Sequence, residues 1–370
     1  MSARFLTVVL ERAFNMRDGF GREIDYMRIS VIDSCNLNCY YCNPCDNNEH
    51  CHALNILSVK EVLCIVRAAT RLGIKHFRLT GGEPLLHPQL DEMVLQIKKI
   101  PGVSSVSLTT NAVLLAQHAK WLKEAGIDSI NVSLDTIDAS EYERITKKPL
   151  LEEVKHGINA AIECGIRVKI NVVLTPQTDV VALTRYVAKK GTDIRFIEMM
   201  PVGEGHTNGV EPYKKVIGTL SKLYGEPCRI NTEKTKEINS GNDKRKIPDN
   251  GPAEYYIFPE LGIRVGLIQA IHGKFCDTCN RIRVTADGRL MPCLGSSVTM
   301  DLVPDSWDFA DDAEKDFSIV RALRAAIKAK PRCHNFNDNA VTYTKTTETK
   351  TTEIEAAEVN AARNMSRIGG

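Results

Sequence analysis

Short apolar runs alternate with amphipathic segments through the first half of the chain. Runs rich in β-branched residues have the length of buried strands and predict strands over residues 26–32, 76–80, 103–109, 129–134, 167–174 and 193–199. Apolar positions at helical spacing predict helices over residues 58–72, 88–99, 116–125, 152–164 and 180–189. Ser58 and Glu61 form a capping-box pattern at the first helix. Strands that alternate with helices predict an α/β fold with a parallel sheet.

The predicted sheet is too small for a closed barrel. Six strand–helix units fall short of the eight in a complete barrel, so we expect a partial (β/α)6 barrel with an open side. Further on, residues 204–223 predict a loop and a helix, 233–246 a solvated loop, and 254–266 two strands. We divide the chain into an N-terminal extension (1–24), the barrel (25–203), a C-terminal domain that closes the barrel (204–333) and a flexible tail (334–370).

Composition and charge exclude several classes of protein. The 370 residues are 43% hydrophobic and 25% charged, as in ordinary globular chains. The net charge of +2 gives no argument for nucleic acid or an acidic membrane as partner. No apolar stretch is long enough to span a bilayer, and the first residues lack the apolar centre of a secretory signal. We therefore expect a cytoplasmic protein that binds neither membrane nor nucleic acid.

The chain has twelve cysteines, and the close spacing of several of them indicates metal binding or redox chemistry. Cys35, Cys39 and Cys42 follow the first predicted strand as C-x3-C-x2-C, at the barrel end where active sites assemble. Three thiolates on one loop can hold three irons of a 4Fe–4S cluster and leave the fourth iron open to a small molecule. Zinc is the alternative, with a fourth ligand from the downstream residues Cys45, His50, Cys51 and His52.

A glycine-rich turn follows the second predicted strand. Gly81 and Gly82 allow close backbone approach to a ligand and offer N–H groups, and Glu83 adds a carboxylate suited to an ammonium group. By itself this segment is also compatible with a simple turn before a helix.

A second cysteine group stands near the C-terminus. Cys276, Cys279 and Cys293 have C-x2-C-x13-C spacing, which suits a second 4Fe–4S cluster or a zinc site completed by Cys333 or His334. Arg281 and Arg283 lie between these cysteines, and on an extended segment both point to the same side. Two guanidinium groups there suit a phosphate or a guanine edge.

From about residue 19 onward the sequence resembles the radical S-adenosylmethionine (SAM) enzymes and, among them, the GTP 3′,8-cyclase family of molybdenum cofactor biosynthesis. The resemblance rests on both cysteine groups and the terminal Gly369-Gly370. The other matching segments are residues 21–22, 26–31, 80–85, 108–111, 130–135, 169–173, 195–203 and 330–334. The chain departs from the family pattern at Ser34, Asn43 and His76.

The resemblance implies a lyase reaction with SAM and two 4Fe–4S clusters as cofactors. A radical derived from SAM abstracts the 3′ hydrogen of GTP, and the C3′ radical adds to guanine C8 to give a cyclic nucleotide. The second cluster, through its open iron, would hold the guanine. By their matching positions, the residues expected at SAM are Tyr41, Gly81, Gly82, Glu83, Ser133 and Met200. Those expected at GTP are Arg28, Arg78, Thr109, Lys169, Arg195, Arg281, Ile282 and Arg283.

The implied partners are GTP, a flavodoxin- or ferredoxin-like electron donor, the downstream cyclic pyranopterin monophosphate synthase and a second copy of the chain. Two other functions stay open: a peptide-modifying radical SAM enzyme with an auxiliary cluster, and a non-catalytic zinc or iron–sulfur protein. The barrel cations could also form local ion pairs with Glu198 or Asp135 instead of binding GTP.

The terminal Gly369-Gly370 generates a first prediction, because glycines can enter a space that any side chain would block. The resemblance implies that this tail enters the active site and assists the reaction. Deleting both glycines is expected to leave iron content and stability nearly intact and to reduce the cyclic product strongly. A peptide of residues 365–370 should restore part of the activity. Full product per chain from GTP, measured anaerobically with the truncated protein, would mean that the tail is a frayed end.

Overall fold

The computed structural model describes residues 16–42, 55–201, 212–230, 251–296, 299–302, 312–334 and 336. Several features considered above lie outside these residues. They are Cys45, His50, Cys51, His52, the predicted loop at 233–246, and the tail from residue 337 onward with Gly369 and Gly370.

One twelve-stranded sheet organises the described part of the chain, in the order β12-β11-β10-β1-β2-β3-β4-β5-β6-β9-β8-β7. The strands are β1 (Tyr26–Ser30), β2 (His76–Thr80), β3 (Ser105–Thr110), β4 (Ser129–Ser133), β5 (Val168–Leu174), β6 (Asp193–Glu198), β7 (Cys228–Ile230), β8 (Glu254–Ile257), β9 (Arg264–Ile268), β10 (Arg281–Val284), β11 (Arg289–Met291) and β12 (Met300–Asp301).

The helices connect these strands and cover one face of the sheet. They are α1 (Val59–Arg71), α2 (Leu90–Lys98), α3 (Leu115–Glu124), α4 (Ala139–Thr146), α5 (Leu151–Glu163), α6 (Val180–Lys189), α7 (Pro212–Tyr224) and α8 (Asp312–Lys328). Ser58 caps α1 in the predicted capping box with Glu61. Within the described residues, no helix has the length and apolarity needed to cross a bilayer.

The predicted α/β architecture is confirmed. All six predicted barrel strands and the five predicted helices between them are present, with ends shifted by two residues or fewer. The C-terminal part adds a parallel strand to each edge of the barrel sheet, because β10 pairs with β1 and β9 pairs with β6. Helices α4 and α8 and the small strands β7, β11 and β12 are not among the predicted elements. The division into domains stays a prediction.

Along each strand, alternate side chains face either the hydrophobic core or the side of the sheet that carries the candidate site residues. On β1 and β2 the apolar side chains of Met27, Ile29, Phe77 and Leu79 are fully buried in the main hydrophobic core. Successive strand residues point to opposite faces, so the residues between them face the concave side of the sheet. That side carries polar and basic residues.

The segment from Met16 to Ile24 packs onto this framework. Ile24 is fully buried, and the backbone N–H of Met16 donates to the carbonyl of Leu72 at 3.2 Å. The sequence assigns residues 1–24 to an N-terminal extension. In the structure, the part from Met16 to Ile24 packs against the framework of strands and helices.

Candidate active site

The first cysteine group lies directly after β1, at the C-terminal end of the parallel strands. Cys35 is exposed, whereas Cys39 and Cys42 are half-buried. Burial raises the pKa of the Cys42 thiol to about 12. Burial raises the pKa of Cys39 too, and the neighbouring thiols Cys42 and Cys35 add to that effect. The three thiols are therefore close neighbours, and a bound metal cluster would favour their thiolate forms.

Helix α4 holds this cysteine loop in place. The backbone N–H groups of Asn38 and Tyr40 donate to the carbonyls of Thr146 and Ile145 at 3.0 and 3.1 Å. Such carbonyls at the C-terminal end of a helix lack partners within the helix, so the loop satisfies them. Asp138 caps the start of this eight-residue helix by accepting from the N–H of Glu141. The Asp-x-x-Glu pattern at these positions is the signal that could have predicted α4.

The Gly-Gly turn after β2 packs against the segment that leads into the cysteines. A Cβ atom on Gly81 would overlap the carbonyl oxygen of Ile32, and one on Gly82 would overlap that of Ser34. The N–H of Gly82 donates to the Ile32 carbonyl, and that of Glu83 to the Ser34 carbonyl, both at 2.8 Å. The expectation that the glycine N–H groups are available to a ligand is therefore wrong for Gly82.

Glu83 joins the Gly-Gly turn to β3. Its fully buried carboxylate accepts from the Thr110 hydroxyl at 2.6 Å and from the N–H groups of Asn111 and Leu85 at 2.7 and 3.0 Å. Burial raises the pKa of Glu83 to about 7, although the three donors oppose the change. The structure thus gives Glu83 a role in holding the turn. Its predicted contact with the SAM ammonium group stays a prediction.

Asn111 extends this connection to the cysteine loop and was not among the predicted site residues. Its side-chain amide donates to the Asn36 side chain at 2.7 Å and approaches the Cys35 sulfur at 3.8 Å. It follows β3 directly, which is the position where barrel site residues occur. That position is the signal that could have identified it.

The other residues predicted at SAM lie near the same end of the strands. The Tyr41 hydroxyl contacts the carboxylate of Asp135, which also accepts from the N–H of Val173 at 2.7 Å. Burial raises the pKa of Asp135 to about 6. Ser133 is exposed at the end of β4, and Met200 follows β6 half-buried. The structure therefore gathers these side chains at one end of the sheet.

Arginines occupy adjacent strands on the concave face. Arg28 pairs in register with Arg283 on one side and Arg78 on the other. Burial lowers the pKa of Arg28, and the charges of Arg283 and Arg78 lower it further. Burial, followed by the nearby charge of Arg281, lowers the pKa of Arg283 to about 10. This is a concentration of positive charge that a bound anion would stabilise.

The remaining predicted GTP residues lie across the sheet from these arginines. Thr109 and Lys169 occupy one register line across β3, β4 and β5, and Asn131, which was not among the predicted site residues, lies between them. The Arg195 side chain donates to those of Asn171 and Asn131. Among the described residues, the Thr109 hydroxyl and the Asn131 side-chain nitrogen are buried without a hydrogen-bond partner. Such buried polar atoms are uncommon and fit a place where a polar ligand binds.

The two carboxylates considered as local partners for these cations have other contacts. Glu198 accepts from the N–H groups of Ile271 and His272 at 2.7 and 3.1 Å and contacts the His272 ring. Asp135 is engaged with Tyr41 and the Val173 N–H. On the concave face, the Asp193 carboxylate contacts Arg264.

Ile282 differs from its neighbours on β10. Its side chain is fully buried in the hydrophobic core, on the face opposite to Arg281 and Arg283. Its predicted contribution to GTP binding is therefore restricted to its main chain.

The second cysteine group surrounds the start of β10. Cys276 and Cys279 enclose one turn of 3-10 helix, and Cys293 follows β11. Burial raises the pKa of Cys276, and the nearby thiols of Cys293, Cys279 and Cys333 raise it further. Burial would also raise the pKa of Cys279, but Arg281 and Lys330 reverse this and lower it to about 7. Positive charge near a thiol favours the thiolate that binds metal.

Strand direction places the two cysteine groups at opposite ends of the sheet. The first group follows β1, whereas Cys276 and Cys279 precede β10, which is parallel to β1. A five-residue strand such as β1 spans ~15 Å. The arginines on β1, β2 and β10 therefore line the space between the two groups.

Within the described residues, no three His, Cys, Asp or Glu side chains lie close enough to hold a single ion. Structural zinc needs ligands gathered at ~2.0–2.3 Å around one centre. The downstream residues considered as a fourth zinc ligand for the first group, Cys45, His50, Cys51 and His52, lie outside the described residues.

Comparisons with known proteins match most of the chain. The family model "Radical SAM superfamily" matches residues 29–182, and "Molybdenum Cofactor Synthesis C" matches residues 192–336. A GTP 3′,8-cyclase of Clostridium perfringens (strain SM101 / Type A) is 35% identical over 87% of this chain and 95% of the relative. One of Pelotomaculum thermopropionicum is 36% identical over 86% of this chain and 95% of the relative.

A solved structure supports the fold. Streptococcus suis SuiB bound to precursor peptide SuiA aligns with a TM-score of 0.56 at 14% identity, covering 87% of this chain and 69% of that one. The partial barrel and the cysteine loop after β1 define a radical SAM protein, which uses a 4Fe–4S cluster and SAM. At this identity and coverage of its relatives, the chain belongs to the GTP 3′,8-cyclase family.

The close approach at Gly82 generates a second prediction. In Gly82→Ala the added Cβ must displace the segment before Cys35, at a cost of about 1–3 kcal/mol. We expect loss of the first cluster, which is about half of the reconstituted iron. Gly218→Ala on α7 is the matched control, because a Cβ there meets open space. Iron and sulfide per chain are measured after anaerobic reconstitution. Full iron in Gly82→Ala would contradict the proposed role of the turn.

Proposed function

We propose that this chain catalyses the reaction for which its relatives are named, the 3′,8-cyclisation of GTP. The observation that carries the proposal is the row of arginines on β10, β1 and β2, between two groups of cysteines. A triphosphate matches the charge of this row, because guanidinium groups bind phosphates with charge-assisted hydrogen bonds.

The first cysteine group provides the ligands for the radical SAM cluster. Cys35, Cys39 and Cys42 supply three neighbouring thiols, and the connections through Gly82 and Asn111 fix their loop. When bound, the cluster and SAM supply the radical that takes the 3′ hydrogen of GTP. The chain would hold SAM with Tyr41, Ser133 and Met200 and with the turn at Gly81–Glu83.

The second cysteine group is proposed to hold a second 4Fe–4S cluster through Cys276, Cys279 and Cys293. With three protein ligands, one iron stays open toward a substrate. Arg281 and Arg283 follow these cysteines on β10 and point to the concave face. This arrangement supports binding of the guanine edge at this end of the barrel and of the phosphates along the arginine row.

The chain's own residues then orient the substrate. Arg28, Arg78, Lys169 and Arg195 contribute positive charge from several strands. Thr109 and Asn131 offer buried polar atoms for hydrogen bonds. A substrate fixed at both ends of the strands presents its ribose between them, and fixed geometry of this kind lowers the barrier to an intramolecular ring closure.

The remaining partners follow from the family. A flavodoxin- or ferredoxin-like donor would supply electrons, a cyclic pyranopterin monophosphate synthase would take the product, and the chain would act in the cytoplasm, with a homodimer as its expected assembly. The two glycines of the tail, Gly369 and Gly370, would assist the reaction.

Replacing both β10 arginines tests the proposal. In Arg281→Ala/Arg283→Ala, each lost charge-assisted contact is expected to weaken GTP binding ~10- to 150-fold, since such contacts contribute ~1.5–3 kcal/mol. Iron should stay at about eight atoms per chain. The control is Arg321→Ala/Arg324→Ala, which removes two exposed arginines from α8. GTP affinity is measured by equilibrium dialysis without oxygen. Unchanged affinity and product rate in the β10 variant would refute the role.

A further inference from the structure

Arg22 is a buried arginine that contacts the second cysteine group through main-chain carbonyls. Its guanidinium donates to the carbonyl of Cys276 at 2.6 Å, to that of Arg332 at 2.9 Å and to that of Pro331 at 2.6 Å. The carboxylate of Asp18 pairs with its Nε. Arg22 is 9% exposed. It therefore joins the segment before β1 to Cys276 and to the chain after α8.

Lys330 also binds main-chain carbonyls close to the second cysteine group. Its side chain is 2% exposed, and its ammonium donates to the carbonyls of Arg281 and Pro292 at 2.7 and 2.8 Å. Pro292 precedes Cys293, and Arg281 is two residues beyond Cys279. Between them, Arg22 and Lys330 contact the main chain at Cys276, next to Cys293 and two residues beyond Cys279.

The charge of Lys330 has no carboxylate partner among the described residues, in contrast to that of Arg22. Burying a cation with only neutral carbonyl partners is costly unless negative charge lies nearby. Burial lowers the pKa of Lys330, and the nearby sulfurs of Cys279 and Cys293 oppose this change when they are thiolates. Lys330 is therefore a buried cation beside the second cysteine group.

We propose that Arg22 and Lys330 are positioning residues of the second cluster. They hold its three cysteine-bearing segments at the spacing that the irons require, and the charge of Lys330 raises the potential at which the cluster accepts one electron. This inference rests on the proposed second cluster. Reduction adds negative charge to a cluster, and a nearby buried cation stabilises that charge.

The test uses the full-length holoenzyme and its one-electron reduction by dithionite. Electron paramagnetic resonance follows the signal that SAM does not perturb, which belongs to the second cluster. Lys330→Gln removes the charge but keeps a hydrogen-bond donor, and it is expected to shift the midpoint potential of that signal to a more negative value. Lys330→Arg should recover part of the shift. Lys328→Gln, an exposed lysine at the end of α8, is the control and should leave the potential unchanged.

Each outcome decides the inference. An unchanged potential in Lys330→Gln overturns it, whereas selective loss of about four irons supports the positioning role. If Lys330→Gln loses both clusters, Arg22→Gln decides. Selective loss of second-cluster iron in Arg22→Gln supports the inference, and full iron content or loss of both clusters overturns it. About four irons in the parent protein would instead refute the second cluster itself.

Discussion

Repulsion between arginines on neighbouring strands is the constraint on which the rest of this site depends. Arg28 lies in register between Arg283 and Arg78, and both burial and these neighbours oppose its charge. The hydrophobic core on the other face of the same strands is buried, and this burial stabilises the fold against the repulsion between the arginines. An anion that binds the folded protein removes the repulsion and stabilises the fold by mass action. Substrate binding and folding are therefore coupled through the same side chains.

The two cysteine groups are connected to this charge through the same strands. β1 carries Arg28 and continues into Cys35, whereas β10 carries Arg281 and Arg283 and begins after Cys279. Because β1 and β10 run parallel, the groups lie at opposite ends with the arginines between them. Each group is held by main-chain contacts: the first through Gly82 and α4, the second through Arg22 and Lys330. The cysteines thus depend on partners far away in the sequence.

The sequence predicted the elements that follow a repeating hydrophobic pattern and the sites whose residues are close together in the chain. Buried parallel strands are apolar runs, so β1 to β6 were found, and cysteine spacing identified both thiol groups. Contacts between distant segments leave no local pattern. Arg22 reaches Cys276 across 254 positions, and nothing near either residue indicates the contact. The Gly81-Gly82 turn was correctly identified as a close approach, but its partner is the chain's own cysteine segment rather than free space for a ligand.

The central claim is that the concave face holds GTP with its ribose C3′ toward the first cysteine group. Incubation of the reconstituted protein with SAM, a reductant and GTP deuterated at the ribose 3′ position tests this claim directly. Mass spectrometry of the 5′-deoxyadenosine formed should show one deuterium per molecule, matched to the cyclic nucleotide produced. Unlabelled 5′-deoxyadenosine, formed in step with the cyclic nucleotide, would contradict the claim, because the hydrogen would then come from elsewhere.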